Sequence, residues 1–336
     1  MKYSILIPAY KQQFLSEAIE SCLRQTNDDF EVIIVNDCSP DNLDAIVKGY
    51  HDSRINYYKN EKNFGAVDVV DNWNKCLSYA EGEYVICMGD DDRLMPWCLE
   101  EYDHLISKFP DLDVYHARTE LIDENGEPFG LQEARPDRES AYSALWHQCH
   151  CHRIQFIGDF LFRSSSLRNE GGFYKLPLAV FSDNITSIKA AKRAGIANTQ
   201  KVSFQYRVNR HTISNNGDPR VLAYAIKSAY DWFVGFLNDC PQDEMDQRYW
   251  NLLLNSDLKN HMYDMIKGVI HRDFNQKGLS ANSYWKHHLA DLNMDEHELK
   301  DVIENYKKSQ GFVSLRQMIY SLRAGMKMRL AKAFCR

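Results

Sequence analysis

The stretch "FEVIIVNDCSPDNLDAIVKGY", residues 30–50, decides the fold class of this chain. Its first part, "FEVIIVND", is apolar on both faces, which is typical of a strand in a parallel sheet covered by helices. Its second part opens with the helix-start pattern Ser-Pro-Asp and continues as a helix. A strand followed directly by a helix is the repeating unit of α/β domains.

The same unit recurs on both sides of this stretch. The strand "YSILIPAY" and the helix "FLSEAIESCLRQ" precede it, and the segments "INYYKN", "VVDNWNKCLSYA" and "EYVICMGD" follow as strand, helix and strand. The alternation predicts an α/β fold with a mainly parallel sheet. Ligands of such sheets bind outside the carboxyl ends of the strands. Three polar features fall at those ends: Ala9 with Tyr10, Asn36 with Asp37, and the triplet Asp90, Asp91 and Asp92.

The pattern changes beyond the turn-rich stretch "SNNGDP", residues 214–219. From Pro219 onward the apolar residues keep helical spacing, and further helical patterns follow. We therefore expect an α/β domain over residues 1–217 and a C-terminal helical region over residues 218–336.

Composition excludes several classes of protein. The 336 residues carry a formal net charge of −7, which argues against binding to nucleic acid because that affinity comes mostly from basic groups. The nine cysteines are scattered through a long chain, so we expect no disulfide framework. The N-terminus lacks a signal-peptide pattern, and no window reaches the roughly 18 apolar residues of a spanning helix. These features predict a cytoplasmic protein.

Common catalytic and phosphate-binding motifs are missing from the sequence. The segment "KQQFLSEA" after the first strand contains neither G-x-G-x-x-G nor the G-x-x-x-x-G-K-S/T phosphate loop. The G-x-S-x-G elbow of α/β hydrolases is also missing. These absences argue against a classical dinucleotide dehydrogenase, a P-loop nucleotidase and the usual hydrolases.

The aspartate triplet allows two interpretations. It is a solvated loop in which one aspartate caps the helix that begins near Met95 and Pro96, or it binds a metal ion. Carboxylates are ligands for Mg²⁺ or Mn²⁺, and such ions bridge one or two carboxylates to a substrate diphosphate. The position of the triplet at the carboxyl end of an apolar strand favours the metal site.

At this point the chain resembles the family 2 glycosyltransferases, enzymes of the GT-A fold that transfer a sugar from a nucleotide donor to an acceptor hydroxyl. The resemblance runs in order over roughly residues 3 to 215 and rests on successive blocks at nearly the expected spacing. These blocks are "ILIPAYKQ", "AIESCLRQT", "FEVIIVNDCSPDN", "NFG", "NWNKCLSYAEGEYV", "MGDDDRLMP", "GGF" and "YRVNRHTIS".

The resemblance implies a donor site with a divalent cation, Mn²⁺ or Mg²⁺. Asp91 would be the principal metal ligand, and Asp92, beside it near the donor sugar, would be a second one. Arg207 and His211 would form a basic pair near the diphosphate, with His211 contacting either the metal or the diphosphate. Arg207 as a structural ion-pair partner and His211 as a solvent-facing loop residue are the alternatives. The remaining donor-binding positions would be Pro8, Ala9, Tyr10, Asp37, Asn63 and Asp90, with Asp37 at the uracil or ribose.

The sequence departs from the family pattern at several of these positions. Gly89 stands where the family often has the first aspartate of Asp-x-Asp-Asp, so Asp90 either replaces that acid or faces solvent. Lys11 stands at the usual asparagine, and Trp73 at an arginine that often contacts the nucleotide. The donor contacts of this chain therefore differ from the common pattern.

The catalytic base is the most consequential departure. By resemblance, an acidic pair follows the "GGF" block and precedes a helix that ends in glycine. Counting back from Gly195 places Asp183 and Asn184 at that pair. An amide cannot accept a proton as a carboxylate does, so Asp183 inherits the role of base. The alternative is that Asp183 caps the helix "ITSIKAAKRA".

The family resemblance implies an inverting transfer of a sugar from a nucleotide sugar, most simply a UDP-sugar, to a saccharide or a lipid-linked saccharide of surface polysaccharide synthesis. Two other classes remain as alternatives. One is a nucleotidyltransferase, for which "PAYKQQF" lacks the expected basic glycine-rich loop. The other is a binding protein that keeps the fold without the chemistry, as Gly89 and Asn184 would allow.

Two further segments carry unusual residues. "HQCHCHR", residues 147–153, alternates histidine and cysteine, which predicts a strand with the two residue types on opposite faces and disfavours a zinc site, because its ligand spacing is too short. The segment "FVSLRQMIYSLRAGMKMRLAKAFCR", residues 312–336, combines an apolar helical stripe with six basic residues and no acid. It reads either as a helix lying on a membrane surface or as a core-packed last helix with a solvated basic face.

Overall fold

The computed structural model describes residues 1–209 and 217–309. A ten-stranded sheet forms its centre, and its first four strands coincide with the four predicted strands. The strands are β1 (Tyr3–Ala9), β2 (Phe30–Asn36), β3 (Ile55–Lys59), β4 (Tyr84–Cys87), β5 (Arg93–Leu94), β6 (Val114–Ile122), β7 (Pro128–Leu131), β8 (Arg138–Glu139), β9 (Phe160–Arg163) and β10 (Ile196–Arg207).

The sheet is mainly parallel, as the sequence predicts. Its strand order is β3-β2-β1-β4-β9-β6-β10-β5, with β7 beside β6 and β8 beside β10. Strands β3, β2, β1 and β4 are mutually parallel, and so are β6 and β10. Strand β9 runs antiparallel between β4 and β6. Six strands therefore end at the same edge of the sheet, which we call the carboxyl edge.

Seven helices cover the sheet within residues 1–209, and their apolar residues recur at helical spacing. In the first helix the residues Leu15, Ala18, Ile19 and Cys22 are buried, and every residue of β2 is buried between the helical layers. The helices are α1 (Leu15–Leu23), α2 (Leu43–Lys48), α3 (Val69–Tyr79), α4 (Cys98–Lys108), α5 (Ala141–Cys149), α6 (Ser164–Asn169) and α7 (Ser182–Ala191).

Residues 217–309 form helices, as the apolar spacing predicts. The first begins after Asp218, whose side chain accepts the N–H of Arg220, with Pro219 at the first helical position. Its buried residues share one hydrophobic cluster with Val85 and Phe162 of the sheet and with Trp285. The helical region and the sheet therefore have a common core. The helices are α8 (Pro219–Phe236), α9 (Glu244–Leu252), α10 (Leu258–Lys277), α11 (Ala281–His287) and α12 (Glu296–Ser309).

The strand predicted for "HQCHCHR" is wrong. Helix α5 starts at its N-cap Ser140 and continues through His147 to Cys149, and His150 and Cys151 follow in a turn. The helical period set by buried residues upstream of the histidines overrides the local alternation. The rings of His147 and His152 approach to 3.1 Å between their Nδ1 atoms. Over residues 1–209 and 217–309, no group of three or more His, Cys, Asp or Glu residues is placed to hold a metal ion.

Two predicted features fall on other parts of the chain. His211 and the basic segment 312–336 lie outside the described residues. In the part of the chain that the structure describes, no helix combines the length and the apolar character needed to cross a bilayer.

Candidate active site

The acidic loop, residues 89–92, follows β4 at the carboxyl edge, and its three aspartates have different partners. Asp90 is buried, and its Oδ2 accepts the backbone N–H groups of Tyr10 and Lys11 at 2.6 and 2.7 Å. These two bonds tie the acidic loop to the β1–α1 connection. Asp90 therefore does not face solvent. The contact with the donor that was predicted for it is replaced by hydrogen bonds to the backbone of the protein.

Asp92 is also turned into the protein. Its Oδ1 accepts the backbone N–H of Arg207 at 2.9 Å, and its Oδ2 accepts that of Gly89 at 3.2 Å. A Cβ at Gly89 would lie 2.8 Å from Asp91 Oδ1 and 2.9 Å from Asp92 Oδ2, which explains why glycine replaces the first acid. Burial and the charge of Asp91 raise the pKa values of both Asp90 and Asp92. The placement of Asp92 does not fit the metal contact predicted for it.

Asp91 is the member of the triplet whose carboxylate reaches the surface. Its side chain is 16% exposed, and its Oδ2 lies 3.7 Å from Lys11 Nζ. The same oxygen accepts a hydrogen bond from Asn209 Nδ2 at 2.6 Å. Helix α4 begins after Trp97, and no side chain of the described residues caps it. The capping interpretation of the triplet is therefore wrong, and Asp91 stays the predicted metal ligand.

Arg207, at the end of β10, is buried and surrounded by protein acceptors. Its Nε donates to the carbonyl of Asp91 at 2.8 Å, and its Nη2 donates to Glu17 Oε2 at 2.7 Å. Its Nη1 donates to the carbonyls of Asp123 and Glu124. The side chain has no exposed surface, so the predicted diphosphate contact is corrected to the structural alternative. Arg207 fixes the backbone that presents Asp91.

The predicted nucleotide-binding residues lie at the ends of β1 and β2. The N–H of Asp37 donates to the carbonyl of Ala9 at 2.9 Å, so the two strand ends meet. The Asp37 carboxylate is 6% exposed and accepts hydrogen bonds from Phe64 N and Asn60 Nδ2. It therefore orders the loop that follows β3.

Around these strand ends, Tyr10 and Asn63 are exposed and Pro8 is half-buried. Asn63 Oδ1 accepts the N–H of Gly65. Trp73, which stands at the family arginine, packs edge-on against Phe173 in the core. The base and ribose contacts of Pro8, Ala9, Tyr10, Asp37 and Asn63 stay predictions, with Tyr10 offering the most accessible surface.

Asp183 lies in the first turn of α7 and is half-buried. Burial raises its pKa to about 7, the charge of Asp159 adds to the rise, and the N–H of Asn184, which donates to Asp183 Oδ1 at 2.8 Å, opposes it. The helix starts at Ser182 after Phe181, so Asp183 is not the N-cap residue. A carboxyl group with a pKa near neutrality is suited to proton transfer at physiological pH.

The segment before Asp183 is strained. Leu178, Ala179 and Phe181 have φ angles of 60°, 54° and 61°, in the left-handed region that costs a non-glycine residue of order 1 kcal/mol or more. The N–H of Leu178 donates to the carbonyl of Val67 at 3.0 Å. This contact joins the strained segment to the loop that Asp37 orders.

The acidic loop and Asp183 both lie near Tyr206, and in the described residues their side chains make no direct contact. The charges of Asp91, Asp92 and Asp183 all raise the pKa of Tyr206 beyond the rise that burial causes. Sequence reasoning missed Tyr206, Asn209 and Glu17. The alternation of side chains along β10 was a signal that could have identified Tyr206. Glu17 gave no such signal, because its partners are far away in sequence.

The strand order, the acidic loop after β4 and the polar strand ends define the class of this protein: an α/β fold of the GT-A type with its site at the carboxyl edge. Residues 4–159 match the sequence model of the family described as Glycosyl transferase family 2. The match covers less than half of the chain, and over these residues the sequence is similar to that family.

Two sequence relatives have related names. An uncharacterized glycosyltransferase of Methanocaldococcus jannaschii is 35% identical over 141 residues, which are 40% of this chain and 47% of that protein. WcaA of Escherichia coli, a candidate glycosyl transferase of colanic acid biosynthesis, is 40% identical over 96 residues, 28% of this chain and 33% of that protein. The aligned part of the chain thus spans less than half the length of either relative.

Solved structures share the fold over most of the chain. TarS 1–349 of S. aureus in complex with UDP-GlcNAc aligns with a TM-score of 0.63 and 17% identity over 93% of this chain and 93% of that chain. Another TarS 1–349 structure aligns with a TM-score of 0.63 and 18% identity over 87% of this chain and 80% of that chain. At this level of identity the likeness supports the fold alone.

Proposed function

We propose that this protein is an inverting glycosyltransferase that uses a UDP-sugar donor. One observation carries the proposal: the acidic loop presents one accessible carboxylate, Asp91, and both Asp91 and Asp183, whose pKa burial raises to about 7, lie within electrostatic range of Tyr206. The family match of residues 4–159 and the fold shared with a UDP-GlcNAc complex of TarS support it.

A divalent cation fits the acidic loop through Asp91. Mg²⁺ and Mn²⁺ commonly bind one or two carboxylates and take their other ligands from substrate phosphates and water, which agrees with one accessible carboxylate rather than a protein cage. We propose Asp91 as the side-chain ligand. When bound, the ion neutralises charge on the leaving diphosphate. The ammonium group of Lys11, 3.7 Å from Asp91, adds positive charge at the same place.

The proposed transfer is a single displacement. The Asp183 carboxylate takes the proton of the acceptor hydroxyl, and the hydroxyl oxygen forms a bond to the anomeric carbon. The bond from that carbon to the diphosphate oxygen breaks, and UDP leaves on the opposite face, so the configuration inverts. The N–H of Asn184 holds the Asp183 carboxylate. General-base assistance of this kind is typically worth 10²–10⁴-fold in rate.

The acceptor proposal rests on one sequence relative. The likeness to WcaA favours a saccharide or lipid-linked saccharide acceptor in surface polysaccharide synthesis. A lipid-linked acceptor would suit a cytoplasmic protein held at the inner face of the membrane by the basic segment 312–336. Liposome binding by the full chain, compared with a chain that ends at residue 311, tests this location.

A panel of nucleotide sugars tests the proposed function. With Mn²⁺ present, one UDP-sugar should raise the melting temperature, because a ligand that binds only the folded state stabilises it by about 2.7 kcal/mol at 100 times its Kd. The same UDP-sugar should release UDP slowly without acceptor and faster with a saccharide acceptor. Stabilisation without UDP release would instead indicate a binding protein. Turnover of a nucleoside triphosphate with a sugar phosphate would indicate a nucleotidyltransferase.

A further inference from the structure

The end of β10 presents alternate side chains to opposite sides of the sheet. Arg207 points toward α1, where it contacts Glu17, and Gln205 lines a surface cavity of about 330 Å³ together with Glu17. Because successive side chains of a strand alternate, Tyr206 points the other way. There its ring stacks on Phe156, with ring centroids 3.5 Å apart and an angle of 8° between the planes.

This aromatic pair, Phe156 and Tyr206, is held firmly. The N–H of Phe156 donates to Asp159 Oδ2 at 3.2 Å. Two residues on, Gly158 lies against Phe204 so closely that a Cβ would be 2.4 Å from Phe204 Cζ. The segment 155–159 also contacts α7, since Gln155 Nε2 donates to Ser187 Oγ at 3.2 Å. The pair is thus fixed between β10 and the helix that carries Asp183.

The Tyr206 hydroxyl is a hydrogen-bond donor at the end of β10. Both rings of the pair are only half-buried, and within residues 1–209 and 217–309 the hydroxyl has no hydrogen-bond partner. Burial, with the charges of Asp92, Asp91 and Asp183, raises its pKa, so the group stays protonated. The backbone N–H of Arg207, next to Tyr206, donates to Asp92 of the acidic loop, and Gln155, next to Phe156, donates to Ser187 of α7, so the aromatic pair lies between the acidic loop and α7.

We propose that the aromatic pair forms a wall of the sugar pocket between Asp91 and Asp183, where Tyr206 donates a hydrogen bond to a sugar oxygen. The apolar face of a hexose ring would pack on the aromatic surface, and the fixed hydroxyl would select an oxygen at that position. This inference rests on the proposed function and extends it to a residue that sets sugar binding. The sugar belongs either to the donor or to the acceptor.

Two substitutions test the wall. Tyr206→Phe removes only the hydrogen bond and should lower kcat/KM about tenfold, as one such bond is worth up to about 1.5 kcal/mol. Tyr206→Leu also removes the aromatic surface and should lower it further. Both variants should bind UDP with Mn²⁺ as the wild type does, because UDP has no sugar to contact the wall. Tyr50→Phe, which removes a hydroxyl that contacts Ser16, is the matched control and should keep wild-type kinetics.

Kinetic measurements distinguish the donor sugar from the acceptor sugar, and the proposed wall from the proposed function. A higher KM for the UDP-sugar in hydrolysis without acceptor assigns the wall to the donor sugar. A higher KM for the acceptor alone assigns it to the acceptor. Wild-type values of both constants in Tyr206→Leu, with normal turnover by the wild-type enzyme, would overturn the wall and leave the proposed function standing. A wild-type protein that turns over no nucleotide sugar would overturn both.

Discussion

At the scale of single residues, three adjacent aspartates acquire different roles from their partners. Two unit charges about 4 Å apart repel by about 1 kcal/mol in water and about 4 kcal/mol at an effective dielectric of 20. Backbone N–H groups offset this repulsion at Asp90 and Asp92. Asp91 is the exposed member of the triplet, and a cation or Lys11 can balance its negative charge. The hydrogen bonds of Asp90 and Asp92 therefore hold the loop in the conformation that exposes Asp91.

Asp183→Asn tests the base. Transfer should fall by about 10²–10⁴-fold with UDP affinity unchanged, since the residue acts on the acceptor proton. In the wild type, kcat should rise with pH through about 7, because Asp183 must lose its proton to act and burial raises its pKa to about 7. The pH profile of the residual activity in Asp183→Asn should lack that step.

The control for Asp183 is Asp246→Asn. Burial raises the pKa of Asp246 as well, but this residue lies on α9 in the helical region. Its substitution should leave both the turnover and the pH step in place. A full-rate Asp183→Asn enzyme with an unchanged profile would remove Asp183 from the mechanism.

Arg207→Lys separates a structural role from a diphosphate contact. One ammonium group cannot replace a guanidinium that contacts Glu17 and three backbone carbonyls. We expect a loss of about 3 kcal/mol in the free energy of unfolding, at the low end of the range for disrupted buried ion pairs, measured by urea titration. Arg54→Lys, at a more exposed ion pair, should cost under about 1 kcal/mol. Unchanged stability together with weaker UDP binding would support the contact first predicted between Arg207 and the diphosphate.

At the scale of elements, the site depends on where strands end. Strands β1, β2, β4 and β10 all end at the carboxyl edge, and the bonds from Asp90 and Asp92 link three of these ends. Helix α7 carries Asp183 directly after the strained segment 178–181 and within electrostatic range of Tyr206 in β10. Strain of this kind persists only where the surrounding structure enforces it.

Ala179→Gly tests that strain. Glycine adopts positive φ without the steric cost of a Cβ, so the free energy of unfolding should rise by about 1 kcal/mol, while transfer should fall as the position of Asp183 loosens. Ala190→Gly, inside α7, is the matched control and should destabilise by about 1 kcal/mol. Thermal unfolding of both variants measures the difference in sign. Equal destabilisation in the two variants would contradict the strained conformation.

How much the sequence could predict follows from the range of each interaction. Strands β1 to β4 and helices α1 to α3 follow from local apolar periods, which is why they were predictable. Helix α5 was not, because residues before the histidines set its period. The burial of Arg207 was equally hidden, since Glu17 lies 190 residues away. The family blocks located Asp91 and Asp183, but only the fold shows which carboxylate of the aspartate triplet is exposed.

At the scale of the whole molecule, the proposed function requires an acidic protein to bind an anionic donor. The net charge of −7 opposes the approach of a UDP-sugar, so local positive charge at the carboxyl edge has to compensate. Lys11 supplies one such charge beside Asp91, and a divalent cation would supply two more. The helical region shares its core with the sheet.

The most direct test of this account is the Mn²⁺ dependence of UDP binding, measured by titration calorimetry on the wild type, Asp91→Ala and Asp113→Ala. Asp113 is a matched control, because its side chain is 14% exposed against 16% for Asp91 and it precedes β6 at the opposite edge of the sheet. We predict that Mn²⁺ strengthens UDP binding at least tenfold in the wild type and in Asp113→Ala, and has no such effect in Asp91→Ala. Mn²⁺-dependent binding of wild-type strength in Asp91→Ala would contradict the account.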